Sequence, residues 1–306
     1  MSTRLSSKDM LLALAVIAVW GTNFVVIRLG LDVLPSLFFA FLRFLFVLLP
    51  ACFFLPRPRV PLRWVALYGL ALGVVQFGLL FIAMRGMISP GLASLVVQMQ
   101  VFFTVAIAMW RQGEKLAAHQ IAAFGLALAG MGVIAAHNGH GTTVVGLLLT
   151  LAAAGGWAIS NQASREASRA AQAAGVKLNM LALVVWGSLF AVPPLLALSL
   201  LVEGPAAILH GLAHAGIGTW AAVAYQSFGN TIFGYGVWAI LLSRYPAATV
   251  SPLSLLVPVF GFAASAAWLG EPMPAWKIGA TLLIMAGLAV NLLWRPRKAA
   301  LAGAPN

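Results

Sequence analysis

Trp20 and Asn23 stand three residues apart, and Trp157 and Asn161 stand four apart. In a helix, either spacing puts both side chains on one face. An aromatic ring beside an amide offers ring contact next to hydrogen bonding, which is the chemistry of holding a small molecule rather than of breaking a bond. The same pairs also fit an interfacial tryptophan with an asparagine that bonds a neighbouring helix. Other polar side chains lie in similarly apolar surroundings. Gln76 precedes Phe81, and Gln98 and Gln100 are two apart, which predicts nearly opposite faces, one toward a cavity and one toward a neighbouring helix. Tyr225, Gln226, Ser227, Asn230, Thr231 and Tyr235 form the most polar stretch in any apolar segment, and Gly229, Gly234 and Gly236 beside them predict a cavity wall rather than a lipid-facing helix. In hydrocarbon an unpaired polar group is costly, so such residues should face partner helices or a water-filled cavity.

Arg43 is the one formal charge deep in an apolar segment. It could attract a substrate carboxylate or bind backbone carbonyls toward one end of its helix, the second role being preferred. Glu114 and Glu271 each precede a helix, where a carboxylate complements exposed N–H groups and the helix dipole. No Asp or Glu falls inside the predicted spans, and His119, His137, His140, His210 and His214 sit in connections or at span edges. Proton relays use buried titratable carriers, so transport without proton coupling is expected. An intramembrane enzyme would need a metal cluster, a His–Asp pair or a reactive carboxylate, and the spans offer none. No cofactor is expected. Cys52, the one cysteine, excludes an internal disulfide and is read as a packing residue.

The elements that must position these residues are membrane helices. At 62% hydrophobic and 8% charged over 306 residues, the chain cannot present the polar surface of a soluble fold. About 20 apolar residues cross a bilayer, and ten segments meet that measure: 10–29, 36–55, 64–85, 91–110, 118–136, 143–164, 178–202, 216–242, 246–268 and 275–294. Connections are short and rich in turn residues, as in Pro56-Arg57-Pro58-Arg59 and Glu271-Pro272-Met273-Pro274. The net charge of +12 is scattered singly between apolar segments and forms no nucleic-acid face. With the N-terminus cytoplasmic, 14 Lys and Arg lie in inner segments against 3 in outer ones, which predicts both termini in the cytoplasm.

The chain also repeats itself. A shift of 157 places Ser94 on Ser251, Phe103 on Phe260, Gly113-Glu114 on Gly270-Glu271 and Ala129-Gly130 on Ala286-Gly287; upstream, a shift of 156 places Gly73, Phe77 and Gly78 on Gly229, Phe233 and Gly234. Two units follow, residues 1–137 and 138–306, with five spans each. An odd number of spans makes the second unit enter from the opposite side, so the fold class is an all-α membrane protein of ten transmembrane helices in two inverted-topology five-helix repeats. Inverted repeats are an architecture of secondary transporters with a central site opened to each side in turn. The small faces of Gly125, Ala129, Gly130, Gly132, Gly279 and Gly287 are read as packing within each half, and a monomer is expected.

Val19-Trp20-Gly21-Thr22-Asn23-Phe24, Leu42-Arg43-Phe44, Pro252 with Pro258, and Leu269-Gly270-Glu271 resemble recurring features of the EamA-type ten-helix exporters of the drug/metabolite transporter superfamily. Gln112-Gly113-Glu114 departs from the Leu-Gly-Glu pattern at its first position, and Val101 stands where the second copy has Pro258. The resemblance spans residues 10 to 294 and implies a bacterial inner-membrane exporter, most like the aromatic amino-acid and O-acetylserine/cysteine types. Its substrates would be small metabolites, amino acids first, with drugs, nucleobases and sugar derivatives as alternatives. Candidate substrate contacts are Trp20, Asn23, Arg43, Gln76, Phe81, Gln98, Trp157, Asn161, Tyr225, Gln226, Asn230 and Tyr235. A passive pore would show rings of charged or repeated polar residues, and here the polar positions are irregular.

Overall fold

The computed structural model describes residues 5–112, 117–137 and 141–293. Glu114 and His140 therefore lie outside the described residues, as does the junction between the two units. Ten long helices follow one another: α1 Ser7–Leu31, α2 Ser36–Phe53, α3 Leu62–Met84, α4 Pro90–Trp110, α5 Ala118–Ala136, α6 Val144–Ala173, α7 Met180–Glu203, α8 Ile217–Arg244, α9 Ser251–Leu269 and α10 Ala275–Leu293. Among the described residues, nine are long and apolar enough to cross a membrane; α8 makes ten together with the short helix Pro205–Ala213, from which it bends by 110°. The polar stretch around Gln226 and Asn230 is what lowers the hydropathy of α8.

Several helices outrun the apolar segments, and acidic residues lie in the added turns. Ser6 caps α1 by accepting from the Asp9 N–H, so Asp9 belongs to the first turn of the helix and not to a loop before it. Helix α6 continues to Ala173 and includes Glu166, and α7 runs through a π-helical turn to Glu203. The expectation that no carboxylate lies within a span is corrected at these three helix ends, where capping and ion pairing make the extra turns tolerable.

Two helices are widened at corresponding places. Leu70–Gly78 in α3 and Tyr225–Phe233 in α8 are both π-helical, nine residues each. Such segments are uncommon and concentrate at functional sites. Helix α4 is interrupted by a 3₁₀ turn at Val97–Met99, and α9 opens with one at Ser251–Leu256, where Pro252 stands at the first positions.

The packing partners repeat with the chain. Helix α5 packs on α10 and α2 on α7; α1 meets α8 and α9, and α6 meets α3 and α4; α2 touches the π segment of α8, and α7 touches that of α3. Gly130 and Gly287 therefore pack between the halves and not within each half. The other glycines of that pattern do not join them, since a Cβ at Gly125, Gly132 or Gly279 would meet nothing within 4 Å. The buried core is dense in aromatic and branched residues of α2, α3 and α4, including Phe39, Phe44, Phe81 and Phe102.

Candidate functional site

One cavity of about 620 Å³ runs between the two halves. It is lined at one end by Arg165, Met180, Leu242, Ser251 and Asn291, near where α6, α8 and α10 finish and α7 and α9 begin. That end also holds the start of α1, because Arg244 at the close of α8 donates to Asp9 at 3.0 Å and the Tyr245 hydroxyl donates to it at 2.8 Å. Deeper in, the walls are Trp20 and Asn23 from α1, Gln76 and Phe77 from the π segment of α3, and Asn230 from that of α8.

The opposite end of the bundle is tied together. The Glu271 carboxylate accepts from the Gly91 N–H at 3.0 Å, from Lys277 Nζ at 2.9 Å and from the Ser89 hydroxyl. Both ion-pair partners are nearly buried, with side chains 2% and 7% exposed. Glu271 thus caps α4 across the molecule and neutralises a lysine of α10, a wider role than the expected complement to its own following helix. Nearby, the Ser89 N–H donates to the Gly141 carbonyl and the Thr143 N–H to the Met87 carbonyl. Glu203, at the end of α7, accepts from the N–H groups of Leu37 and Phe38 at 2.8 and 3.1 Å and so caps α2.

Of the twelve residues singled out from the sequence, Trp20, Asn23, Gln76, Gln98, Trp157, Asn161, Asn230 and Tyr235 line the cavity. The indole of Trp20 packs against Tyr235 and Trp238, with centroids 5.6 and 5.1 Å apart, and its N–H donates to the Asn230 carbonyl at 3.1 Å. On the facing wall Asn161 donates to Gln100 Oε1 at 2.9 Å, so this amide lines the cavity and also bonds a neighbouring helix. Gln98 and Gln100 both line the cavity, against the expected opposite faces. The 3₁₀ turn at Val97–Met99 accounts for this: about three residues per turn bring positions two apart to about 120°, where an α-helix would set them about 160° apart.

Four of the twelve stand elsewhere. Phe81 is fully buried against Phe39 and Phe77, a packing residue. Tyr225 is turned toward α1, its hydroxyl donating to the Val19 carbonyl at 2.9 Å and lying 2.6 Å from Thr22 Oγ1. Gln226 is wholly buried and accepts from Arg43 Nη1 at 2.5 Å. Arg43, also wholly buried, donates through Nη2 to Thr231 Oγ1 at 2.9 Å and stacks on the Phe77 ring, 3.6 Å from its centroid. Its partners are side-chain oxygens of α8, not the backbone carbonyls expected.

Sequence reasoning passed over Tyr68, Thr104, Ser160, Ser164, Ser254 and Asn291, which also line the cavity. A signal was present on α6, where Trp157, Ser160, Asn161 and Ser164 follow the i, i+3, i+4, i+7 spacing of one helical face. Among the described residues the lining contains no Asp, Glu or His. What it offers is aromatic surface, amides and hydroxyls, with the Arg165 side chain at the reachable end, a set suited to binding without bond chemistry.

A model of the EamA-like transporter family matches the chain twice, over residues 7–136 and 144–293. The chain belongs to the EamA-like transporter family. It is 43% identical over 299 residues to a probable amino-acid metabolite efflux pump of Salmonella typhimurium, covering 97% of this chain and 99% of that protein. A protein of the same description from Escherichia coli is 41% identical over 296 residues, with 95% and 98% covered. A probable terminal-alkyne amino-acid exporter of Streptantibioticus cattleyicolor is 27% identical over 310 residues, covering 98% and 99%. A crystal structure 22% identical to the chain superposes with a TM-score of 0.61 over 94% of this chain and 98% of its own, so the fold is shared. This EamA-family chain is a multi-pass membrane transporter of small molecules and not an enzyme.

Proposed function

We propose that this transporter exports amino acids or close derivatives across a bacterial inner membrane by alternating access, without proton coupling. The observation that carries the reading is a cavity of aromatic, amide and hydroxyl groups reached at one end and tied off at the other by buried ionic and backbone contacts. Its volume falls in the usual range of about 300–1,000 Å³ for small-molecule sites. A zwitterion suits such a lining, because many neutral hydrogen-bonding groups can serve both of its charges. The names of the relatives point to the same substrate class.

The reachable end of the cavity is cytoplasmic in this reading, because it lies with the start of α1, where the inner segments hold the larger share of Lys and Arg. The five-helix units at 1–137 and 138–306 are inverted repeats, supported by the exchange of packing partners between halves and by the paired π segments of α3 and α8. In this reading one chain carries both halves of the site, and the protein acts as a monomer. The lack of an Asp, Glu or His in the described lining supports uncoupled exchange.

Liposomes loaded with unlabelled amino acids, in which uptake of each labelled one is followed, test the proposal. Saturable exchange that weakens in Trp157→Ala supports it. Flux that rises linearly without saturation, accompanied by ion conductance, points to a pore. Saturable exchange of nucleobases or drugs with none of amino acids moves the substrate class within the same fold.

A further inference from the structure

Arg43 carries a full charge where water does not reach it, and among the described residues no carboxylate lies within ion-pair distance. Its neighbours are all neutral: Gln226, Thr231 and the face of Phe77. One more neighbour connects it to the cavity. The Asn230 amide is oriented by the two guanidinium donors beside it, which require an acceptor; with its oxygen toward Arg43, it accepts from Nη2 at 2.7 Å and from Nη1 at 3.2 Å. Asn230 is also a lining residue, held through its own backbone carbonyl by the Trp20 indole.

We infer that Arg43 acts through Asn230 to make the deep end of the cavity a receptor for a substrate carboxylate. An amide can present either end to a ligand. Arg43 takes the acceptor end, so what Asn230 has left for the cavity is its NH₂, a donor only. The guanidinium behind it adds an uncompensated positive potential in a low-dielectric interior, where such a field is strong. Gln226 is fixed in the same sense, its Oε1 on Arg43 and its Nε2 without a partner. Tyr68 and Tyr235 flank this region of the lining with hydroxyls that can donate as well. A donor-rich pocket backed by a buried cation selects an anionic oxygen pair over a neutral or cationic group. Arg43 is thus a positioning residue, conferring the sign of the site without touching the substrate.

This inference rests on the transport of amino acids proposed above and deepens it by naming the group recognised. The test is competition against exchange of a labelled amino acid in liposomes by three unlabelled analogues with one side chain: the amino acid, the amine lacking the carboxylate, and the carboxylic acid lacking the amino group. In the wild type, the acid is expected to compete and the amine to compete at least about tenfold less well than the amino acid, since a site built to bond a group rejects the analogue without it. Asn230→Asp satisfies Arg43 with a carboxylate and turns an acceptor to the cavity, so the ratio of amine to acid competition should move in favour of the amine. Arg43→Lys keeps the charge without the paired donors and should retain the wild-type order of preference at a raised KM. A wild type competed equally by amine and acid overturns this inference while leaving the transport proposal standing. An unchanged ratio in Asn230→Asp, with exchange intact, does the same. Absence of saturable exchange of every carboxylate-bearing amino acid by the wild type overturns both.

Discussion

Gly130 and Gly287 close the contact between α5 and α10 reciprocally. A Cβ on Gly130 would lie 2.9 Å from the Ala280 carbonyl oxygen and 2.6 Å from Ile284, and a Cβ on Gly287 would lie 2.6 Å from the Ala123 carbonyl oxygen. Ala123 and Ala280 are separated by the same 157 residues as the two glycines. Each helix therefore offers its glycine to the backbone of its counterpart, and the missing side chains let the backbones approach.

Gly287→Ala is expected to destabilise the protein by about 1–3 kcal/mol, the ordinary range for inserting atoms into a packed site. Gly125→Ala, where an added Cβ meets open space, should leave stability unchanged or raise it by up to about 1 kcal/mol through helix propensity. Thermal unfolding of both variants in detergent checks the contrast.

Glu271→Gln leaves Lys277 nearly buried without its anion, and loss of one partner from such a pair costs about 3–5 kcal/mol. The cost falls on the tied end of the bundle, so opening there should become easier. With Cys52→Ala and a reporter cysteine at Ser94, an impermeant maleimide added outside should label the Glu271→Gln protein faster than its parent. Equal labelling would show that this carboxylate does not hold the end closed.

Trp157→Ala and Phe81→Ala separate binding from packing. Trp157 lines the cavity, and its loss should raise the KM for exchange by about tenfold, with a smaller change in stability. Phe81 is buried between Phe39 and Phe77, and its loss should cost about 3–5 kcal/mol of stability while leaving the KM of the folded fraction close to the wild-type value. Unfolding curves and exchange kinetics on the same preparations read both effects.

Exchange at clamped voltage should not respond to an imposed pH gradient, because no Asp, Glu or His lines the cavity among the described residues. Uptake by proteoliposomes with valinomycin-fixed potential, compared across gradients of either sign, checks this. A flux that scales with the gradient would sink uncoupled transport.

The ten helices were legible because hydropathy reports a bilayer directly, and the pairs Trp20 with Asn23 and Trp157 with Asn161 were legible because α-helical spacing holds at both. Spacing failed where the helix was not α-helical. Gln98 and Gln100 share the cavity because a 3₁₀ turn separates them. The partner of Gln226 is 183 residues away, so no local pattern could announce that its polarity serves Arg43. Asp9 and Glu203 were missed for a related reason: their helices extend past the apolar runs, and the groups that satisfy them, Arg244 with Tyr245 and the N–H groups of Leu37 and Phe38, come from distant parts of the chain.

The reciprocal glycine contact has the form of an interface between two identical subunits, in which each partner presents the same patch. Here both patches belong to one polypeptide, and that removes the constraint of identity. Two separate copies of the first unit would set two guanidiniums behind the walls of one shared cavity. Helix α2 contributes Arg43, whereas α7, its packing partner and counterpart, contains neither Lys nor Arg. Covalent union of the halves thus permits a two-fold framework to carry a one-sided interior, in which a ligand with a charged head has only one way round to lie.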